Sequence, residues 1–384
     1  MQNNPCDICG GCPFRNMEEK EYRQKKEEDF INTINQIKTV SELEMDESIF
    51  IKDGTRRRAD MSFQYIKKKL ILGFNEMKSH ELVNIDKCPM LNDALNAFLP
   101  SLRHFLEDFC NVEISVKNKK KIEHMRITGG SVRLLEADNG LDVLLEIDQE
   151  PNVEHRMLVG EFVNNIPNLC RLSWSVKGKT TETVAEKISP ELYIAGCSVN
   201  IPHGVFLQAS KEAENIMIAK VMEYMGTLRG TIADLFCGLG TFTYPLASIK
   251  ENKVISADSF EPSIKGLQKA VNKNQLSNVT VIKRNLFKEP FDESDLKSIK
   301  ALVIDPPRAG AHEQCRELLR VKKENCPEKI VFVSCNPKTF VYDANILIEV
   351  GYKLERITLI DQFVYSKHQE LIALFTLEKG EKYD

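Results

Sequence analysis

The second half of the chain alternates short apolar runs with segments in which apolar residues recur at helical spacing. Seven runs beyond residue 199 have the composition of strands: TIADLF, KVISAD, VTVIKR, KALVID, KIVFVS, YKLERITLI and ELIALFTL. Segments such as PSIKGLQKAVNKNQL and PKTFVYDANILIEVG lie between them and have the pattern of helices. This alternation predicts a parallel, doubly wound α/β sheet over residues 199–384. No helix separates the last two strands, which predicts a terminal antiparallel hairpin.

The first half has a different pattern. Between residues 41 and 198, runs of alternating polarity such as MSFQYI and LDVLLEI lie between turn signals such as ADNG. We expect a mostly β domain there, with one helix at LNDALNAFLPSLRHFLEDF. Residues 1–40 contain a cysteine-rich loop and a helix. The predicted division is therefore 1–40, 41–198 and 199–384.

Length and composition bound the class of protein. The 384 residues, 42% of them hydrophobic, are enough for two domains with separate cores. No apolar run is long enough to cross a bilayer and no secretory signal is visible, so we expect a cytoplasmic protein without a membrane partner. In a reducing compartment, cysteines are expected to be ligands, nucleophiles or buried apolar residues. We assign the buried role to Cys110, Cys170, Cys197, Cys315 and Cys326.

Positive charge is concentrated in the first third, although the formal net charge of the chain is −4. The basic runs are TRRRAD, IKKKL and VKNKKKIEHMR. Because local basic patches bind phosphates even on acidic proteins, Arg57, Arg58 and Lys120 are candidate nucleic-acid contacts. Solvated side chains on strand faces are an equal alternative.

The N-terminal sequence PCDICGGCP brings Cys6, Cys9 and Cys12 into one loop with C-x₂-C-x₂-C spacing. Ferredoxin-type iron–sulfur sites use this spacing with a further cysteine followed by proline, which Cys88 supplies in DKCPML. Zinc also accepts four cysteines, usually from two CxxC pairs. The spacing alone leaves both metals open.

A glycine-containing turn follows the first predicted strand of the α/β region, in ADLFCGLGTFTYPLA. Gly238 and Gly240 would let a ligand approach the backbone closely. Asp258 ends the next strand, 20 residues beyond Gly238, where a carboxylate would bind ribose hydroxyls. The missing third glycine argues against a dinucleotide, whereas the adenosine end of S-adenosylmethionine needs no phosphate site. A solvated or capping carboxylate is the alternative for Asp258.

Polar residues follow two further strands at the edge where doubly wound sheets bind ligands. Asp305 follows the fourth strand in VIDPPRAG, and Cys335 follows the fifth in VFVSCNPKT. The polar context of Cys335 and the helix that begins near Pro337 favour a nucleophilic thiolate over a buried apolar cysteine. The DPP motif is typical of amine methyltransferases when an aromatic residue follows, but Arg308 stands there instead.

Four motifs, DLFCGLGTF, DPPRAG, VSCNP and DQFVYSKHQE, occur in the order and roughly the spacing of RNA uracil-5-methyltransferases. The chain resembles that family over nearly its whole length. The resemblance implies a Rossmann-like, seven-stranded methyltransferase domain after a mostly β, RNA-binding domain that carries the cysteine loop. It also implies S-adenosylmethionine as methyl donor, Cys335 as nucleophile and Glu370 as general base.

The same resemblance implies the cofactor contacts. Gln208 would contact the methionine end, Phe236 would reach the cofactor from the glycine turn, and Asn285 would lie near the adenine. Asp305 would lie between cofactor and uracil. Asp258 and Thr241 stand where relatives often have Glu and Asn. Both can still form hydrogen bonds, so we expect these differences to affect the affinity for S-adenosylmethionine more than the activity.

The motifs CDICGGC and CPML resemble the iron–sulfur branch of the family, which modifies ribosomal RNA. Spacing and resemblance together favour a [4Fe–4S] cluster over zinc, with Cys6, Cys9, Cys12 and Cys88 as ligands. Four cysteines leave no iron open, so we expect a structural cluster or part of an RNA-binding surface. The chain begins at the cysteine loop, which suggests the shorter branch without an N-terminal RNA-binding barrel. The expected substrate is 23S rRNA and the expected state a monomer.

Three alternatives stay open. The same chemistry could act on a tRNA uridine. The protein could also be a metal-containing RNA-binding protein without turnover, although the intact Cys335, Glu370 and glycine turn argue against this. An amine methyltransferase would not need Cys335.

Overall fold

The computed structural model describes residues 5–38, 43–118 and 121–377. Two compact units divide the chain: the first comprises 1–16 and 52–192, and the second 17–51 and 193–384. This division differs from the expected boundaries, because segment 17–51 belongs with the C-terminal unit. Packing explains the difference, since Phe30 and Ile34 of the N-terminal helix are buried in the core of the second unit.

The strands of the described residues are β1 (Glu44–Met45), β2 (Ile49–Phe50), β3 (Arg58–Ile66), β4 (Lys69–Asn75), β5 (Leu82–Asn84), β6 (Ile114–Asn118), β7 (Lys121–Met125), β8 (Gly129–Ala137), β9 (Gly140–Ile147), β10 (Leu169–Val176), β11 (Glu182–Glu186), β12 (Glu191–Ile194), β13 (Cys197–Asn200), β14 (Thr231–Leu235), β15 (Lys253–Asp258), β16 (Val279–Lys283), β17 (Ala301–Ile304), β18 (Lys329–Ser334), β19 (Lys353–Asp361) and β20 (Glu370–Thr376). The helices are α1 (Pro5–Ile8), α2 (Glu19–Ile34), α3 (Asp93–Asn111), α4 (Val153–Asn165), α5 (Lys211–Met225), α6 (Thr243–Ala247), α7 (Glu261–Lys273), α8 (Glu293–Leu296), α9 (His312–Leu318) and α10 (Pro337–Val350), with a 3₁₀ turn at Lys323–Asn325.

The second unit is built on a nine-stranded sheet, counted over the described residues, in the order β1-β19-β20-β18-β17-β14-β15-β16 with β2 also paired to β19. Strands β14 to β18 pair in parallel, and β20 is antiparallel to both β18 and β19. The seven expected strands and the terminal hairpin are confirmed. The short strands β1 and β2 extend the sheet by pairing in parallel with β19.

Both faces of this sheet are covered, as an apolar parallel sheet requires. Ala233 and Leu235 of β14 face one hydrophobic cluster, whereas Ile232 faces another. Because side chains alternate along a strand, both faces of the central strands carry mainly apolar side chains, and most of the predicted site residues occur where the strands end.

The first unit contains a seven-stranded sheet in the order β11-β10-β9-β8-β3-β4-β5. Within it β9 and β10 pair in parallel, and the other pairings of the described residues are antiparallel. Helix α3 was expected and α4 was not. Asn152 caps α4, but Val153 and Met157 on that helix are exposed, which obscures the helical pattern in the sequence.

The five cysteines expected to be buried are buried. Within the described part of the chain, no helix has the length and apolarity that a membrane crossing needs.

Candidate active site

The predicted site residues of the second unit meet at one edge of its sheet. They lie at strand ends: Gly238 and Gly240 after β14, Asp258 at the end of β15, Asp305 after β17 and Cys335 after β18. Glu370 begins β20, which runs antiparallel to β18 with Leu371 opposite Ser334. Strand direction and register therefore place Glu370 and Cys335 at the same edge.

The turn after β14 has the backbone that its glycines predict. Gly238 and Gly240 have φ angles of 53° and 99°, in the region that favours glycine. A Cβ on Gly240 would lie 2.8 Å from Leu267 Cδ1, whereas a Cβ on Gly238 would meet nothing within 4 Å. The open space at Gly238 can admit a ligand close to the backbone, and Gly240 is needed for packing.

Asp258 is fixed by the backbone on both sides. Its Oδ2 accepts a hydrogen bond from the Gly238 N–H at 3.0 Å, and its Oδ1 accepts one from the Phe260 N–H at 2.8 Å. These bonds orient the carboxylate at the end of β15 beside the glycine turn. The carboxylate is therefore preorganised, as a ribose-binding group must be.

Asp234 is a site residue that our sequence reasoning did not single out. Its side chain is 0% exposed within β14, and Oδ2 accepts a 2.6 Å hydrogen bond from Thr243 Oγ1. Oδ1 has no hydrogen-bond partner among the described residues. Burial raises the pKa of Asp234 to about 7. A carboxylate inside an apolar strand is costly to bury, and this was the signal available in the sequence.

Three further predicted cofactor contacts surround this turn. Phe236 has a φ of 61°, unusual for a residue with a side chain, and its ring lies 5.3 Å from that of Phe287. Asn285 uses its side-chain oxygen to accept a hydrogen bond from the Phe287 N–H at 3.1 Å. Thr241 is partly exposed in the turn itself.

Cys335 is half-buried, and its ionisation differs from the expectation. We expected the N-terminus of α10 to favour the thiolate. Instead, burial raises the pKa of the Cys335 thiol to about 11, with the Glu370 and Asp305 charges as further causes. The guanidinium of Arg308 opposes this effect. In the free protein, desolvation and the two carboxyl groups therefore raise the pKa of the Cys335 thiol more than the positive charges lower it.

Glu370 is held by a glutamine that sequence reasoning also missed. Gln362 Nε2 donates to Glu370 Oε2 at 2.8 Å and to Gln208 Oε1 at 3.1 Å. Glu370 is 3% exposed, and burial raises its pKa well above the ordinary range, with the Asp305 charge as a second cause. Gln208, predicted as a cofactor contact, is thus linked to the predicted base through Gln362.

Asp305 interacts electrostatically with Asp258 as well as with Cys335 and Glu370. Burial raises its pKa to about 7, and the charge of Asp258 contributes. Arg308, three residues further on, places its Nη2 3.3 Å from His368 Nε2. Perturbed carboxyl groups beside a nucleophile are typical of an active site.

The four cysteines of the predicted metal site line one cavity of the first unit, together with Phe74, Ile85 and Pro89. Burial raises the pKa of the Cys6, Cys12 and Cys88 thiols. Over residues 5–38, 43–118 and 121–377, no group of three or more candidate ligands is close enough to hold a metal ion as placed. The thiols therefore share a cavity without converging on one point.

The predicted nucleic-acid contacts are only partly accessible. Arg57 is 2% exposed, which does not agree with a role in binding phosphates, because the folding of the β3 region buries it. Arg58 is half-buried, and burial lowers its pKa. Lys120 lies outside the described residues. The turn between β3 and β4 exposes Lys67, Lys68 and Lys69.

A doubly wound sheet that ends in an antiparallel hairpin, with a glycine turn and a fixed carboxylate at its ligand-binding edge, defines the class of S-adenosylmethionine-dependent methyltransferases. A sequence profile described as tRNA (uracil-5-)-methyltransferase matches residues 175–378. The chain belongs to this family of RNA uracil-C5 methyltransferases.

Individual relatives cover nearly the whole chain. An RNA methyltransferase of Agrobacterium fabrum is 34% identical over 372 residues, which are 97% of this chain and 82% of that protein. The 23S rRNA (uracil(1939)-C(5))-methyltransferase RlmD of Shewanella frigidimarina is 28% identical over 389 residues, covering 96% of this chain and 80% of RlmD. The crystal structure of Pyrococcus abyssi tRNA (uracil-54, C5)-methyltransferase, in complex with S-adenosyl-L-homocysteine, has a TM-score of 0.70 at 24% identity and covers 96% of this chain and 86% of that one. This structural likeness concerns the fold.

Proposed function

We propose that this protein methylates C5 of a uridine in RNA through a covalent bond between Cys335 and C6 of the base. The observation that supports this most directly is the pairing of β18 with β20, whose register puts a thiol and a buried carboxyl group at the same edge as the glycine turn. A nucleophile, a base and a cofactor loop within one edge are the parts that this chemistry needs.

The reaction requires a nucleophile because C5 of uracil is too weakly nucleophilic to take a methyl group unaided. The Cys335 thiolate adds to C6, and the electrons of the C5–C6 double bond move to form an enolate. S-adenosylmethionine would supply an electrophilic methyl group: C5 bonds to the methyl carbon as the carbon–sulfur bond breaks, which leaves neutral S-adenosylhomocysteine. Glu370 then takes the proton from C5, the double bond re-forms, and the thiolate leaves.

The residues of the glycine turn fit an adenosine-containing cofactor. Open space at Gly238 and the fixed carboxylate of Asp258 would receive the ribose, and the buried, unpartnered oxygen of Asp234 points to a missing ligand or solvent group. We assign Gln208, Phe236, Gly240, Thr241, Asn285 and Asp305 to the remaining cofactor contacts.

Proton placement follows from the raised pKa values. In the free protein, burial raises the pKa of both Cys335 and Glu370, and the nearby charges, Glu370 and Asp305 for the thiol and Asp305 for Glu370, raise them further. A positive charge bound beside them lowers both pKa values. We propose that this coupling keeps the thiol inactive until the cationic cofactor is in place.

We propose 23S rRNA as the substrate, supported by the relationship to RlmD along nearly the whole chain. The names of the family profile and of the Pyrococcus abyssi protein support tRNA as the alternative. Incubating the purified protein with labelled S-adenosylmethionine and separated rRNA or tRNA tests this choice. We expect 5-methyluridine in 23S rRNA and none with Cys335→Ala. Label on an exocyclic amine would contradict the reaction, and label in tRNA alone would contradict the substrate.

We also propose that Cys6, Cys9, Cys12 and Cys88 hold a [4Fe–4S] cluster. Support comes from the ferredoxin-type spacing and from the shared cavity of the four thiols. Four thiolates leave no iron open to bind a substrate, so such a cluster would stabilise the loop or form part of the RNA-binding surface.

Contacts to RNA phosphates are proposed for Arg58 and for the exposed lysines of the β3–β4 turn. Lys67, Lys68 and Lys69 lie consecutively at the tip of a hairpin, where their charges can reach a phosphate backbone.

A further inference from the structure

Helix α2 carries a lysine that is buried in the second unit, and the reaction above does not use it. Lys26 is 1% exposed, although lysine is among the residues least often buried. Its Nζ lies 2.8 Å from Oδ1 of Asp361, which is also 1% exposed. Because burying an ion pair costs several kcal/mol per ion, about as much as it gains, stability alone is a weak explanation for this pair.

Lys26 also makes hydrogen bonds to one loop, residues 362–369, which connects β19 to β20. Its Nζ donates to the backbone carbonyl oxygens of Ser366, at 3.1 Å, and of His368. Its own carbonyl oxygen accepts a 2.8 Å hydrogen bond from Gln369 Nε2. One residue of α2 therefore binds this loop at three points.

Tyr22, one turn earlier on α2, binds the same loop. Its hydroxyl donates to Asp361 Oδ2 and accepts a 2.8 Å hydrogen bond from the Tyr365 N–H. The rings of Tyr22 and Tyr365 lie 4.9 Å apart. Burial lowers the pKa of Lys26, and Asp361 opposes that effect.

This loop begins at Gln362, which donates a hydrogen bond to Glu370, and Glu370 itself follows the last residue of the loop. Gln362 follows Asp361 directly, and Glu370 follows Gln369 directly. The 2.8 Å hydrogen bond from Gln362 to Glu370 therefore spans a loop that Lys26 and Tyr22 hold at both ends.

We propose that Lys26, assisted by Tyr22, is a positioning residue for the base Glu370. This inference rests on the proposed function for the identity of the base. Lys26 binds the loop through Ser366, His368 and Gln369, so it would act on the reaction through the loop. It fixes the backbone of 362–369 so that the Glu370 carboxylate meets the C5 proton of the methylated adduct. Loss of this support leaves bond formation by Cys335 intact and slows the later proton transfer.

Lys26→Met keeps the length of the side chain and removes its charge and donors. A base misplaced by about 1 Å can cost up to about 100-fold in rate, so we expect kcat to fall about 10- to 100-fold. The KM for RNA should fall with it, so that kcat/KM changes little, because the slowed step follows capture of the RNA. The covalent protein–RNA adduct should accumulate on ordinary uridine, because it forms normally and resolves slowly. Lys20→Met, at an exposed position of the same helix, is the matched control and should behave as the wild type.

If Lys26→Met lowered kcat only by destabilising the protein, restoring the stability should restore kcat. A double variant separates this explanation from a positioning role. In Lys26→Met with Asp361→Leu, both buried charges are gone, so the melting temperature should recover relative to Lys26→Met. The kcat should stay low, because the carbonyl groups of Ser366 and His368 still lack their donor. Recovery of kcat together with the melting temperature would overturn the positioning role.

Hydrogen exchange provides a readout that does not depend on activity. Backbone amides of 362–369 should exchange faster in Lys26→Met, while those of α7 are unchanged. If Lys26→Met does not fold, Tyr22→Phe removes a single hydroxyl, and Tyr352→Phe, which removes another buried hydroxyl of the same unit, is its control. Unchanged loop exchange, or wild-type kcat without adduct, overturns the inference. If the loop exchanges faster in Lys26→Met but the wild-type protein forms no covalent adduct with RNA, the loop contact is confirmed and the proposed function is contradicted.

Discussion

The pH dependence of Cys335 alkylation tests whether this thiol, the proposed nucleophile, is protonated in the free protein. Burial, with the charges of Glu370 and Asp305, raises its pKa from 9.0 to about 11. This rise makes the thiolate about 100-fold rarer at neutral pH than in an unperturbed cysteine. Because only the thiolate reacts with iodoacetamide, Cys335 should be alkylated about 100-fold more slowly than an accessible unperturbed thiol.

The assay follows the peptide that contains Cys335 by mass spectrometry over a series of pH values. The rate should still be rising at about pH 10, because ionisation is incomplete until the pH exceeds the pKa. Glu370→Gln removes a neighbouring negative charge, so it lowers the pKa of the thiol and speeds alkylation, most clearly at alkaline pH. Glu349→Gln, at an exposed position on α10, is the control and should change nothing.

The cofactor provides a matched pair of ligands for the same assay. S-adenosylmethionine carries a positive sulfonium, and S-adenosylhomocysteine has nearly the same shape without that charge. Alkylation of Cys335 should therefore be faster with the first than with the second. A rate that levels off below about pH 7 in the free protein would refute the reasoning, since it would mean that the N-terminus of α10 outweighs burial.

Three further predictions concern the rest of the molecule. Protein purified without oxygen should contain about four irons per chain by metal analysis, and Cys88→Ser should lose them; stoichiometric zinc with intact activity would contradict the cluster. Replacing Lys67, Lys68 and Lys69 by Gln should weaken RNA binding and reduce the slope of log affinity against log salt by about two to three, while the affinity for the cofactor is unchanged. An unchanged slope would mean that these lysines are solvated and do not contact RNA. Both Gly240→Ala and Gly238→Ala carry the strain of a positive φ, but only the Cβ at residue 240 would meet Leu267 and Tyr244. Denaturant titration should therefore show a loss in the free energy of unfolding about 1–3 kcal/mol larger for Gly240→Ala, whereas Gly238→Ala should also weaken cofactor binding. Equal stability losses would contradict the different roles of the two glycines.

The positions of the site residues could be predicted because they follow from strand order. Asp258, Asp305 and Cys335 each stand where an apolar run ends, and parallel strands bring such ends to one edge. Glu370 needed the family motif as well, since its place depends on β20 running antiparallel to β18.

Ionisation and burial could not be predicted from local patterns. The sequence around Cys335 suggested a thiolate, but the decisive charges, Glu370 and Asp305, are distant in sequence and meet the thiol only in the folded sheet. Arg57 was expected on the surface because it belongs to a basic run, yet it is buried. Both differences have the same cause, because the desolvation of a side chain depends on tertiary packing and cannot be deduced from the residues next to it in the sequence.

Long-range support was also invisible in the sequence. Helix α2 was grouped with the cysteine loop in residues 1–40, whereas Phe30 and Ile34 bury it in the core of the second unit. Lys26 looks like one more charge on a polar helix, and only its partner Asp361, 335 residues further along the chain, explains its burial.

The most direct test of the central claim uses RNA that carries 5-fluorouridine at the target position. A stacked base shields C6, so the uridine must first leave the stack to meet Cys335. Once methylated, C5 holds fluorine in place of the proton that Glu370 removes, and the thiol cannot leave. We expect a methylated protein–RNA complex that survives denaturing electrophoresis, requires S-adenosylmethionine and is absent with Cys335→Ala. A Cys335→Ala protein that methylates ordinary RNA at the wild-type rate would contradict the account.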